Sequence, residues 1–179
     1  MNRPAARLSR IQQIGLVLLR TAIGWHFLYE GYVKLVSPAW SRSGTPLAPF
    51  SSAGYLQGAT GPFADLFRWL ARPEWLPWID GAVAVALVVA GLMLMLGLLT
   101  QLGCAVAALL LTAFYLSAIP LTGLPLPRAE GTYLIVNKNL IELLAVLVLM
   151  AFRTGRMAGL DLLLRRPAAP TLPPAAPTL

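Results

Sequence analysis

Two apolar stretches of this chain carry groups able to move protons and hold anions. Arg20, His26, Glu30 and Lys34 interrupt the run 11–36, and the run 134–152 opens with Asn137, Lys138, Asn139 and Glu142. A charge at the centre of a bilayer costs at least about 2.5 kcal/mol and tends to mark a functional site. At about 100° per residue the four groups of the first run fall within an arc of roughly 120°, with His26, Glu30 and Lys34 stacked one turn apart. Lys138 and Glu142 are likewise one turn apart, Asp80 stands at the mouth of a third apolar run, and Tyr115 lies in a fourth.

Such residues can be positioned only by helices that cross a membrane. Apolar residues make up 58% of the 179 and charged ones 12%, with mean hydropathy +0.71, which excludes an ordinary soluble domain. Four spans are expected, at 11–36, 79–99, 102–121 and 134–152, each near the roughly 20 residues that cross about 30 Å of hydrocarbon. The expected fold is therefore all-α, a four-helix transmembrane bundle, with residues 1–166 as one membrane domain. Between the second and third spans only a short turn at Thr100 and Gln101 is left.

Arg20 interrupts the first run early and no small-residue cleavage pattern follows, so no cleaved signal peptide is expected. Arg3, Arg7 and Arg10 precede the first span, and Arg153, Arg156, Arg165 and Arg166 follow the last. Basic residues near span ends mark the cytoplasmic side, so both termini should be cytoplasmic. Glu30, Lys34, Asp80, Lys138 and Glu142 then all lie toward the outer leaflet, where two bases and three acids can neutralise one another across helices.

The net charge of +7 and pI near 10.3 raise the question of nucleic acid. The basic residues are dispersed over both tails and the loops rather than gathered on one face, so anionic lipid headgroups are the expected partner and nucleic acid is not. Cys104 is the single cysteine, which excludes an internal disulfide and a CxxC redox pair. One histidine cannot ligate haem from both sides, and a metal would need the carboxylates as well. A hydrogen-bonded or proton-relaying imidazole is the role expected of His26.

The outer loop 37–78 is rich in Pro, Gly, Ser and aromatic residues. Within it Phe63, Leu66, Phe67 and Leu70 recur at helical spacing opposite Asp65, Arg68 and Arg72, which predicts a short interfacial helix over 63–71. Trp69, Trp75 and Trp78 suit the headgroup layer. The Pro/Ala-rich stretch 167–179 reads as a disordered cytoplasmic tail.

Two signatures resemble the DoxD branch of the DoxX family. The first is Gly24-Trp25-His26-Phe27-Leu28-Tyr29-Glu30-Gly31-Tyr32-Val33-Lys34, followed by Ser37-Pro38-Ala39-Trp40, Ser51-Ser52-Ala53-Gly54-Tyr55-Leu56 and Gly61-Pro62-Phe63-Ala64. The second is Glu130-Gly131-Thr132-Tyr133-Leu134-Ile135-Val136-Asn137-Lys138-Asn139-Leu140-Ile141-Glu142, followed by Gly159-Leu160-Asp161. Together they span most of the chain between Arg7 and Asp161, with an apparent insertion at 42–50. The resemblance implies a four-helix membrane subunit of a thiosulfate:quinone oxidoreductase in a bacterial or archaeal cytoplasmic membrane. A companion DoxA-like subunit, or a homo-oligomer, is the implied partner.

Under that implication, reduction of quinone needs hydrogen-bond donors and a proton route, for which His26, Glu30, Glu142 and Tyr115 are the candidates. Lys34, Lys138 and Arg42, with Asn137 and Asn139 as neutral partners, would hold a small anionic sulfur substrate, and Arg20 and Asp80 complete the polar set. No flavin, haem, dinucleotide or metal motif is present, so quinone itself would be the electron acceptor. A competing class is a scaffold or small-solute transporter that uses the same buried charges as ion pairs.

Overall fold

Gly97 ends one long apolar helix and Thr100 begins the next, and this hairpin is the spine of the molecule. The computed structural model describes residues 8–36, 50–119 and 134–164; the expectations placed on 37–49, on the end of the third span and on the tail lie outside them. The described residues are all-helical, with α1 Arg10–Val36, α2 Ala53–Gln57, α3 Ala64–Leu70, α4 Leu76–Leu96, α5 Thr100–Ser117 and α6 Lys138–Ala151, followed by 3-10 turns Thr154–Arg156 and Leu160–Leu162. Among them α4 and α5 are long and apolar enough to cross a membrane. The 27 residues of α1 are interrupted by charge, and the 14 of α6 rise only about 21 Å.

The spans begin and end differently from the hydropathy boundaries, for local reasons. Pro77 in the first turn starts α4 at Leu76, before the expected residue 79. Gly97 then adopts the left-handed conformation (φ 63°) and the Leu98 N–H returns to the Met93 carbonyl at 3.0 Å, which stops α4 before residue 99. The tight turn is therefore Gly97–Leu99, and Thr100 and Gln101 belong to α5. Leu134, although apolar, has φ 54°, and the first turn of α6 waits for Asn137, whose Oδ1 accepts from the Leu140 N–H at 3.0 Å.

α1 lies along α4, α4 along α5, α5 along α6, and α6 also touches α1. The buried stripe of α1, Arg20, Ile23, Gly24, Phe27 and Gly31, repeats every three or four residues and faces Leu87, Ala90, Gly91 and Leu94 of α4. Small residues let the two backbones approach. A Cβ on Gly31 would stand 2.7 Å from the Val88 nitrogen, and one on Gly91 would strike the Leu28 nitrogen. Phe27, Leu87, Leu94, Leu111, Val146 and Leu149 fill the space between the helices.

α3 occupies the core of the predicted 63–71 segment, and its docking is distinctive. Phe67 and Ala71 are buried with Leu56 and Ala59 against Leu76, Ile79 and Leu116, while Phe63 and Leu66 face outward. The helix thus sits on the ends of α4 and α5 by one edge. The Thr60 N–H donates to the Ser117 carbonyl at 3.2 Å and fastens this segment to the end of α5.

Candidate functional site

His26 and Glu142 join α1 to α6. Nδ1 of His26 lies 2.6 Å from Oε1 of Glu142, the geometry of an imidazole N–H donating to a carboxylate. The second oxygen, Oε2, is buried and has no hydrogen-bond partner among the described residues. A buried polar atom without a partner is unusual enough to mark either a ligand site or a proton-bearing group.

Beside this pair lies a cavity of about 120 Å³. His26, Glu30, Lys138 and Asn139 form its polar wall. Phe27, Leu87, Leu111 and Phe114 form the apolar one. Glu30 also receives the Lys34 ammonium one turn on, and Lys34 sits 4.4 Å from the centre of the Phe50 ring. Lys138 is close enough to act on Glu30 electrostatically. Two lysines therefore stand against two carboxylates, which makes burial of the group tolerable. The apolar wall comes from α1, α4 and α5, and the polar wall from the C-terminal half of α1 and the first turn of α6.

The remaining candidates have other partners. Asp80 accepts from the Ser52 N–H at 2.7 Å and from the Ser52 hydroxyl at 2.5 Å, so it ties the α2 segment to α4 rather than lining the cavity. Asn137 caps α6. Tyr115 donates to the Ile135 carbonyl at 3.0 Å. Arg20 is the largest departure: it shares the face of His26 and Glu30, but ten residues separate it from Glu30, about 15 Å along the axis. It is 2% exposed at the opposite end, where Nη1 donates to the Ala158 carbonyl at 2.7 Å. A helical wheel gives angle and conceals depth.

That opposite end is organised by Asp161. Its carboxylate accepts from the Leu99 N–H at 2.6 Å and the Thr100 N–H at 3.0 Å, capping α5 from a distant segment, and its own N–H donates to the Gly97 carbonyl at 2.8 Å. Burial raises the Asp161 carboxyl, but donors on Thr100 and Leu99 together with the Arg20 charge outweigh it and hold the group below its ordinary 3.8. In the sequence Asp161 and Ser52 stand out only as parts of a resemblance, and Phe50 only as the end of an insertion. An Asp two residues after Gly159, beyond the last apolar run, is the available signal.

Among the described residues no three His, Cys, Asp or Glu side chains gather to hold a metal ion. Comparison of the chain with protein-family models, with curated proteins and with solved structures gave no match.

Proposed function

We propose that this chain is a four-span, DoxD-like membrane subunit with both termini in the cytoplasm, and that the cavity beside His26 is where a quinone ring is reduced at the expense of a small sulfur anion. Two thiosulfates joined through a new S–S bond would release two electrons; quinone, when bound, accepts these with two protons and becomes hydroquinone. The observation that carries the reading is the His26–Glu142 pair with its unpartnered carboxylate oxygen, set against a polar and an aromatic wall.

Chemistry supports it. At about 120 Å³ the cavity is smaller than the roughly 150 Å³ apolar cavity that accepts benzene, so a quinone ring would fill it and extend through its open side. Phe27 and Phe114 offer flat apolar contact, while His26 can hold a proton at Nε2 when Nδ1 is engaged by Glu142. Glu30 lies on the same wall and can pass a proton outward through the side that Lys34 occupies. Lys138 and Asn139, at the start of α6, would orient an approaching anion. A DoxA-like subunit or a second copy of the chain would complete the outer side.

The test is anaerobic reduction of a soluble quinone analogue by membranes enriched in the protein, with thiosulfate, sulfite and sulfide offered in turn. Reduction with one donor, lost in Glu142→Gln, is the expected result; no reduction with any donor overturns the reading. Reporter fusions after Thr154 and within 43–52 should fall on opposite sides of the membrane. One observation favours the scaffold alternative, namely that Glu30 with Lys34 and His26 with Glu142 each pair an acid with a base. In that case neutral replacements of both members of a pair preserve everything the protein does.

A further inference from the structure

A second cavity of about 290 Å³ lies at the Arg20 end of the helices, remote from the His26 cavity. Arg153, Arg156 and Gln101 line it, with Leu99 and Leu164 as an apolar flank. Asp161 borders it too, yet both oxygens of its carboxylate are taken by the Leu99 and Thr100 amides, and the Arg20 charge stands close by. No ion pair engages Arg153 or Arg156 among the described residues, so two guanidinium charges remain for a ligand.

The backbone is built to put them there. Arg153 follows α6 at φ 47° and ψ 52°, a left-handed position that glycine usually fills and that here carries a guanidinium. Gly155, between the two arginines, has no room for a side chain: a Cβ would strike the Asp161 carboxylate and the Thr100 hydroxyl. The turn is thus pressed against the start of α5, with a guanidinium on either side. Thr100 Oγ1, buried on the cavity wall, faces the Asp161 carboxylate rather than the two guanidinium groups.

We propose that this cavity binds a phosphate group, with Arg153 and Arg156 as its charge partners and Gln101 as a neutral donor. Guanidinium forks match phosphate oxygens, and the leucine flank fits a headgroup entering from the lipid boundary. Two sources offer this chemistry, an anionic phospholipid headgroup and a soluble phosphate compound.

The experiment titrates the purified full chain with short-chain phosphatidylglycerol, with short-chain phosphatidylcholine and with inorganic phosphate, read by native mass spectrometry and by Tm. Phosphatidylglycerol is expected to bind at least tenfold more tightly than phosphatidylcholine, and the double variant Arg153→Gln with Arg156→Gln to lose that preference. Arg10→Gln, an exposed basic residue at the start of α1, should keep it. Arg153→Gly separates binding from folding, because it should raise Tm in the absence of lipid while weakening phosphatidylglycerol binding. Displacement by millimolar inorganic phosphate would assign the site to a soluble compound, and failure to displace would assign it to the headgroup. Equal binding of phosphatidylglycerol by wild type and double variant, or no preference over phosphatidylcholine together with no phosphate binding, overturns the proposal.

Discussion

The Arg20 guanidinium meets the Ala158 carbonyl at 2.7 Å although 138 positions separate them in the chain. The contact fixes the segment after α6 beneath α1 and α4, and Arg20 sits buried among Gly97, Ala158 and the Asp161 charge. Replacing Arg20 with Leu strips a charged donor from a half-buried carbonyl and leaves Asp161 with one fewer compensating charge. The loss should be about 2–3 kcal/mol, visible as a lower Tm in detergent, with the proposed quinone reduction per folded molecule little changed. A wild-type Tm with lost turnover would return Arg20 to the chemistry.

Asp161→Ala should cost about 1–2 kcal/mol, since the first amides of α5 lose their cap. The pH dependence has a definite sign. A carboxyl held below 3.8 in the folded protein stabilises it above that value, and the contribution disappears as the pH falls from about 4 through the folded pKa. Wild type should therefore lose stability below pH 4 more steeply than Asp161→Ala in acid-unfolding curves, and parallel curves would remove the cap from the account.

Helix separation gives a third test. Gly91→Ala places a methyl on the backbone of Leu28 and should destabilise the protein by about 1–3 kcal/mol. Gly15→Ala, on the same helix as Leu28 but with nothing within 4 Å, should be neutral or stabilising by up to about 1 kcal/mol. Similar Tm values for the two variants would mean that α1 and α4 do not approach as closely as described.

The fourth concerns His26 and Glu142. Glu142→Gln alone leaves His26 facing an amide, whereas His26→Leu with Glu142→Leu removes both polar groups and should recover most of the lost stability. If the pair serves quinone reduction, the double variant folds yet turns over at least about a hundredfold more slowly. A folded double variant with undiminished thiosulfate-dependent turnover would move the chemistry to Glu30 and Lys138.

How much was legible in the sequence depended on whether periodicity or contact decided the matter. The long apolar runs announced α4 and α5, and the i, i+4 spacing put His26 and Glu30 on one face. Helix ends were misplaced because apolar character does not distinguish Leu134, held in a left-handed turn, from the helical residues after Asn137. Angle alone groups Arg20 with His26. Sequence places Asp80 at the mouth of a span, and only the folded α2 segment shows that Ser52 claims it. Asp161 lay beyond the last apolar run, and its work is done on residues far upstream.

That last fact has a consequence for synthesis. The amide of Thr100 and the carboxylate that caps it are separated by 61 residues. A ribosome adding about 5–20 residues per second needs roughly 3–12 s to cover that interval. During this time the start of α5 exists without its cap, and the glycine turn behind it has no Asp161 N–H to receive. The α4–α5 hairpin is thus made early and finished late, by one of the last described segments to leave the ribosome. A nascent chain halted before Asp161 would carry α1, α4, α5 and α6 and still lack the clasp that ties the start of α5 to the segment after α6.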